Sequence, residues 1–376
     1  MDDQTIVEDA EPPSPRRRFN CTSAQWGDWT WQFKNRIRTI EKFKEFFPEI
    51  GISDINLEEV SRKYPFSITP YYSSLIRKFD YSDPVFSQSI PNINELCDPD
   101  FLSSDPLCES EETVVPFLVH RYEDRCLLLS TTTCSMLCRF CTRKRMVGKK
   151  EQHISLKRLE VIKRYLLKHP EVKDVIVSGG DPFTQDNNFL EEILTTLRSI
   201  SSIEIIRFGT RTPVVMPQRI TPKLVAMLKK HKPLWINTHF NHPNEITEES
   251  ITACRKILDA GIPMGNQSVL LKGINNDVEV MKELCRKLIS IPVIPYYLYA
   301  CDLVKGIDHF RTPFGEGIEI MRGLRGRLSG IAIPTYVLDS PGGKGKIPVL
   351  PNYYLGEKKG IHKFLNYEGI EVEYPD

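Results

Sequence analysis

The sequence predicts an α/β fold: a partial (β/α)6-type barrel, preceded by a mostly helical segment and followed by a glycine-rich loop that carries a lysine. Three observations lead there. From residue 126 onward, short apolar runs alternate with amphipathic stretches of helix length, the pattern of a parallel sheet with helical crossovers. The polar residues of chemical interest follow those runs one after another, and βα folds build their sites at strand ends. Three cysteines fall within eight residues directly behind the first run, more than a core requires.

Taken in order, residues 1–18 combine acids, Pro12, Pro13, Pro15 and three arginines, a composition that cannot build a core and reads as a disordered tail. Residues 19–119 form a helical wrapping segment. Within it Trp26, Trp29, Trp31 and Phe33 lead into Ile37, Ile40, Phe43, Phe46 and Phe47 at three- and four-residue spacing, which predicts an amphipathic helix ending before Pro48. From Tyr64 to Pro116 the repeated Asp-Pro turns predict helical pieces wrapped around something larger. The core, 120–340, reads as strands at 126–130, 173–178, 203–208, 234–239, 263–270, 293–299 and 332–338. Helices are predicted between them at 156–168, 188–200, 221–230, 247–259, 277–289 and 315–327. Residues 341–376 form the lysine loop and a tail.

Composition excludes several classes. Lys plus Arg number 50 against 49 for Asp plus Glu, a net charge of +1, so nothing electrostatic calls for a nucleic-acid partner. No apolar run is long enough to span a bilayer, and the N-terminus lacks the apolar stretch of a signal peptide, which predicts a cytoplasmic protein. Ten cysteines in a chain of 376 residues with no export signal read as thiols, some of them ligands.

Cys134, Cys138 and Cys141 have the character of iron–sulfur ligands, and three rather than four thiolates leave one iron open to a small molecule. A zinc site would bring a second CxxC or a His pair, and neither lies near. Gly179 and Gly180, before Asp181, permit a close backbone approach at a strand end. Arg121 and Arg125, four residues apart, suit a phosphate, although Glu123 and Asp124 offer ordinary ion pairing. The stretch from Asp339 to Lys346 presents a lysine on a glycine-rich loop without Walker spacing. Pyridoxal phosphate (PLP) held by Lys346 or Lys344 would account for both loop and arginines.

The Cys134–Cys141 spacing, with Phe140 before the third cysteine, resembles the signature of radical S-adenosylmethionine (SAM) enzymes. From about Trp26 to its end the chain resembles the lysine 2,3-aminomutase family, which joins radical SAM chemistry to PLP. The resemblance runs through Thr69-Pro-Tyr-Tyr, 237–245, 265–271, 308–313 and 348–353. It implies a 4Fe-4S cluster on Cys134, Cys138 and Cys141, with SAM held by Gly179, Gly180, Asp181, His239 and Gln267. It further implies that Lys346 forms the Schiff base, that Arg121 and Arg125 face the PLP phosphate, and that Arg143 pairs with the substrate carboxylate. Asp302 and Asp339 would bind the distal ammonium of lysine, whose desolvation two carboxylates can offset. The implied reaction is the interconversion of L-lysine and L-β-lysine by a 5′-deoxyadenosyl radical and a PLP-bound substrate radical. An electron donor such as flavodoxin or ferredoxin, and possible homo-oligomers, come with it. Two departures stand out: the chain ends at Asp376 without the cysteine-bearing extension of some relatives, and Asp277 stands where those carry a zinc ligand, so no zinc is expected. Three alternatives stay open: the same chemistry on arginine, on a protein-attached lysine of an elongation factor, or a non-catalytic iron–sulfur redox sensor.

Overall fold

The computed structural model describes residues 18–50 and 54–376, so the expected tail lies outside the described residues except for Arg18. Arg18 is docked rather than loose: its guanidinium donates to Glu49 at 2.9 and 3.0 Å and to the Phe46 carbonyl at 3.0 Å.

Ten strands among the described residues form one sheet in chain order, β1 (Thr113–Val115), β2 (Leu118–Tyr122), β3 (Arg125–Thr131), β4 (Asp174–Gly179), β5 (Ile205–Gly209), β6 (Leu234–Thr238), β7 (Met264–Val269), β8 (Ile294–Tyr299), β9 (Thr335–Asp339) and β10 (Lys346–Pro348). Strands β3 to β9 are parallel, and the edges β1 and β10 do not pair, so the expected partial barrel stays open. All seven predicted strands are present within a few residues. Antiparallel β1, β2 and β10 extend the sheet at both ends, across the boundaries drawn at residues 120 and 340.

The crossover helices are Leu156–Lys168, Asn187–Arg198, Pro222–Lys229, Glu248–Asp259, Val278–Ser290 and Phe314–Leu324. Side chains of Ser155, Asp186, Thr221, Thr247 and Asp277 cap the first five, satisfying amide groups that have no partner within the helix. In the first, Leu159, Ile162 and Leu166 recur on one face and are buried against the sheet, whereas Leu156 and Leu167 stay exposed. Asp277 therefore has a local job, accepting from the amides of Glu279 and Val280.

The wrapping segment shares the barrel's core. Phe43 and Phe47 stack at 4.7 Å and, with Ile37, Ile40 and Phe66, pack in one cluster with Val175, Ile206 and Ile236. The expected single helix is three, Ser23–Gly27, Trp29–Lys34 and Ile40–Phe46. Between the last two Ile37 forms a β-bridge to Ile68, and Thr39 caps the third helix. The C-terminal residues hold a sheet the sequence did not disclose: β11 (Tyr354–Lys358), β12 (Ile361–Leu365) and β13 (Glu371–Pro375), antiparallel and largely exposed. No helix among the described residues is long and apolar enough to cross a membrane.

Candidate functional site

The cysteine loop follows β3 and is gripped from several sides. Arg36 donates to the Cys134 carbonyl at 2.5 Å, and Arg139, buried between two of the cysteines, forms a two-bonded pair with buried Glu95 at 2.6 and 2.9 Å. Lys144 adds a third bond to Glu95 at 2.6 Å. Burial would raise the Glu95 carboxyl, but Arg139 and Lys144 hold it below the usual range, and burial pulls the Lys144 ammonium down to about 8.

Burial raises the Cys134 thiol well above its ordinary value and Cys141 to about 11, and neighbouring thiols raise these two further. They are thus neighbours, yet among the described residues no three Cys, His, Asp or Glu side chains close on a point as the ligands of one ion must. Three all-sulfur donors on one loop suit the thiolate set of a cubane cluster. Arg211 Nη1 stands 2.8 Å from Cys138 Sγ, and the Arg143 amide 3.3 Å from Cys141 Sγ, so each sulfur has an N–H donor beside it. Arg211 is itself fixed by Glu245 at 2.6 Å and Gln88 at 2.7 Å, and Tyr72 donates to the same Glu245 oxygen at 2.7 Å. The Thr69-Pro-Tyr-Tyr stretch therefore works as a brace for the strand-end loops.

At the end of β4 the glycine pair meets protein backbone. A Cβ on Gly179, whose φ is +116°, would lie 2.4 Å from the Thr131 carbonyl oxygen, and one on Gly180 would lie 2.4 Å from that of Thr133. The close approach is between β3 and β4 themselves. Asp181 is occupied in the same way: its carboxylate accepts from the Thr210 hydroxyl at 2.6 Å, the Arg211 amide at 2.9 Å and the Phe183 amide at 3.0 Å. Burial nevertheless raises its carboxyl. Its function in this arrangement is to tie the β4 loop to the β5 loop. His239, after β6, packs at 5.4 Å from Phe140 of the cysteine loop, and its Nε2 is buried without a hydrogen-bond partner. Burial, then Arg211, lowers this imidazole to about 3, so it faces the loop as a neutral ring. Gln267 lies within β7 rather than after it and donates to the Tyr299 hydroxyl at 3.2 Å.

Arg143 and Arg145 share a carboxylate that sequence reasoning missed. Glu109 takes Arg143 Nη2 at 2.7 Å and Arg145 Nη2 at 2.9 Å, and although burial pushes its carboxyl up, the two guanidinium groups hold it at about 2. Only its position after an Asp-Pro turn, at the start of a run of acids, marks it in the sequence.

The lysine loop closes the site. Lys346 Nζ is 2.7 Å from Asp339 Oδ1 and 5.3 Å from the Tyr299 ring. Burial, then Asp339, pushes the Asp302 carboxyl up to about 6, while Thr142 donates to Asp302 at 2.9 Å. The two expected carboxylates are thus brought together. Of the two expected arginines, Arg121 is occupied by Glu112 at 2.5 Å and by the Leu107 carbonyl. Arg125 Nε lies 3.0 Å from Asp124 without the alignment of a hydrogen bond, leaving a buried donor unmatched. Tyr122, between them and unremarked in the sequence, accepts from the Lys346 amide at 3.1 Å. Arg125 lies over the Tyr122 ring at 4.5 Å, so a lysine, a hydroxyl and a guanidinium with one unmatched N–H adjoin, group types that fit the donor set of a phosphate-bearing aldehyde. Lys344 makes no bond comparable to that of Lys346 among the contacts described.

Residues 128–285 match the radical SAM superfamily profile, and residues 321–376 match the profile of lysine-2,3-aminomutase. The chain is 49% identical over 357 residues to L-lysine 2,3-aminomutase of Clostridium subterminale, spanning 95% of this chain and 86% of that protein. It is 48% identical over 366 residues to the L-lysine 2,3-aminomutase of Fusobacterium nucleatum, spanning 96% and 85%. Against glutamate 2,3-aminomutase of Clostridioides difficile the figures are 41% over 358 residues, 95% and 85%. At this identity over nearly its whole length, the chain belongs to the lysine 2,3-aminomutase family, isomerases of the radical SAM superfamily that use a 4Fe-4S cluster and SAM.

Proposed function

We propose that this isomerase interconverts L-lysine and L-β-lysine by 2,3-amino migration. One observation supports the choice of substrate: Asp339 lies near enough to help raise the Asp302 carboxyl, and it already accepts from a lysine ammonium, that of Lys346, at 2.7 Å. A glutamate substrate would bring a third carboxylate to this pair, where like charges in a poorly solvated site repel strongly.

When bound, the cluster with SAM supplies a 5′-deoxyadenosyl radical for hydrogen abstraction, and PLP supplies a reversible covalent hold on the substrate's α-amino group. The remaining roles belong to the chain. Cys134, Cys138 and Cys141 would hold the cluster, with Arg211 Nη1 and the Arg143 amide beside the Cys138 and Cys141 sulfurs. Asp181 keeps the β4 and β5 loops in register. The backbone of Gly179 and Gly180, the unpartnered Nε2 of His239 and the side chain of Gln267 complete the SAM pocket. Lys346 must lose a proton to act as a nucleophile, and Asp339 Oδ1 is the acceptor already in place. Asp302 and Asp339 would take the substrate's distal ammonium. Arg125 and Tyr122 hold the phosphate end of the cofactor and Arg121 supports the loop beneath it. Arg143 anchors the substrate carboxylate. A low-potential donor such as flavodoxin or ferredoxin reduces the cluster.

Anaerobic reconstitution with iron, sulfide, SAM, PLP and reductant, followed by mass spectrometry of the product from labelled L-lysine, tests the reading. β-Lysine is the expected product, with little or no turnover of glutamate. Absence of amino migration with every basic amino acid tried would overturn it.

A further inference from the structure

The guanidinium of Arg143 has two edges, and the protein uses one. Nε stands 3.1 Å from both oxygens of Glu109 and Nη2 stands 2.7 Å from Oε1, a side-on pair. On the other edge Nη1 reaches only the Gly179 carbonyl, at 3.4 Å. Glu109 is 4% exposed and its second oxygen takes Arg145 Nη2 at 2.9 Å. The same short segment touches the rest of the site: the Gly342 amide donates to the Pro106 carbonyl at 2.9 Å, and Glu112 accepts from Arg121 at 2.5 Å. Residues 105–112 therefore join the basic end of the cysteine loop to the lysine loop and to β2.

We infer that Glu109 is a positioning residue for substrate binding: by holding the Nε–Nη2 edge of Arg143 it turns the open Nη1–Nη2 edge toward the substrate carboxylate. The inference rests on the reading of Arg143 as carboxylate anchor. A guanidinium is a planar fork, so a carboxylate on one edge fixes the plane in which the other edge can bind. Arg143 then meets its ligand without losing rotamer freedom at that moment. Glu109 does not compete with the substrate. Its departure would strand a buried carboxylate away from two guanidinium groups, and the open edge makes that departure unnecessary.

The test uses the reconstituted holoenzyme of wild type, Glu109→Gln, Glu109→Asp, Arg143→Ala and the Glu109→Gln/Arg143→Ala double variant. KM and kcat are measured for L-lysine, and Ki for 1,5-diaminopentane, which has both amines and no carboxylate. In Glu109→Gln the KM for lysine is expected to rise about ten-fold or more with kcat changed much less, and Glu109→Asp to recover part of it. The Ki of diaminopentane should not move, and Glu109→Gln should add nothing in the Arg143→Ala background. If Arg143→Ala raises KM and neither Glu109 variant does, Glu109 has no such role. A fall in KM would make it a competitor, also against the inference. Equal weakening of lysine and diaminopentane, or loss of bound iron and PLP absorbance in step with KM, would make its role structural and overturn the inference. If Arg143→Ala itself leaves KM unchanged, the anchor reading fails first and takes the inference with it.

Discussion

Lys346 and Asp339 are cross-strand partners, opposite one another in the β9–β10 pair, with Lys346 Nζ 2.7 Å from Asp339 Oδ1. The register of one short hairpin thus places both the amine that would hold PLP and a carboxylate that would receive the substrate's ammonium. Two substitutions separate these roles. Lys346→Ala should abolish both the absorbance of bound PLP and turnover. Asp339→Asn should keep most of the PLP but lose the pairing with lysine, lowering kcat/KM by about two orders of magnitude, the scale for truncating one partner of a buried charge pair. Absorbance after reconstitution and steady-state kinetics read the two effects independently.

The neighbouring Asp302 makes a pH prediction with a definite sign. Burial, then Asp339, raises its carboxyl from 3.8 to about 6. A carboxyl whose folded value lies above its unfolded value binds more protons when folded, so the chain loses stability as pH rises from about 4 to 6. Above pH 6 the full cost is present, on the order of 3 kcal/mol for a shift of this size. Asp302→Asn removes that cost. Without cofactors it should melt several degrees above the wild type at pH 7.5, and the advantage should shrink at pH 5. The same variant should lose lysine turnover, and in the wild type KM for lysine should rise as pH falls below about 6, when Asp302 becomes protonated. Calorimetry at the two pH values, with kinetics across the range, checks both halves.

The barrel was legible because its signals are local. Leu159, Ile162 and Leu166 repeat at helical spacing, Ser155 and Asp186 stand at helix starts, and strands such as 174–179 read as apolar runs. Cys134, Asp302 and Asp339 could be placed together because they follow strands of one sheet. Glu109, Glu95 and Tyr122 escaped notice for the converse reason. Glu109 lies 34 residues from Arg143, Glu95 44 residues from Arg139, and Tyr122 224 residues from Lys346, so no periodicity links the partners. The sheet β11–β13 was missed because its strands are exposed on most residues, which removes the alternation that marks a half-buried strand. Gly179 and Gly180 were noticed for their need of room, but the sequence did not reveal that the Thr131 and Thr133 carbonyls take up the space a Cβ would need.

Glu95 ties stability to cluster assembly. It is fully buried and holds Arg139 and Lys144, both on the cysteine loop, at 2.6 Å each. Glu95→Ala strands two buried cations and should cost roughly 3–5 kcal/mol, the scale for breaking a buried pair from one side. The loop is pinned through those cations, so the variant should also bind less iron per chain after reconstitution, even at temperatures where circular dichroism reports a folded barrel. Glu95→Gln, which keeps the shape and some hydrogen bonds, should fall between. Iron stoichiometry equal to the wild type in a folded Glu95→Ala would contradict the link.

Gly180 gives the most direct steric prediction. A Cβ there meets the Thr133 carbonyl oxygen at 2.4 Å and its carbonyl carbon at 2.8 Å, so no rotamer can relieve the contact and the ends of β3 and β4 must part. The Gly180 amide also donates to the Thr131 carbonyl at 2.6 Å and the Asp181 amide to Thr133 at 2.8 Å, and parting the strands weakens both bonds. Gly180→Ala should therefore destabilise by several kcal/mol, above the ordinary range for a point substitution, and weaken SAM binding by loosening the loop that carries Asp181. Gly315→Ala is the control. That glycine lies in the helix Phe314–Leu324 with nothing within 4 Å of an added Cβ, so alanine should stabilise it by up to about 1 kcal/mol. Equal melting temperatures for the two variants would mean that the β3–β4 contact can yield without cost; a wide gap, with SAM affinity reduced only in Gly180→Ala, is the expected result.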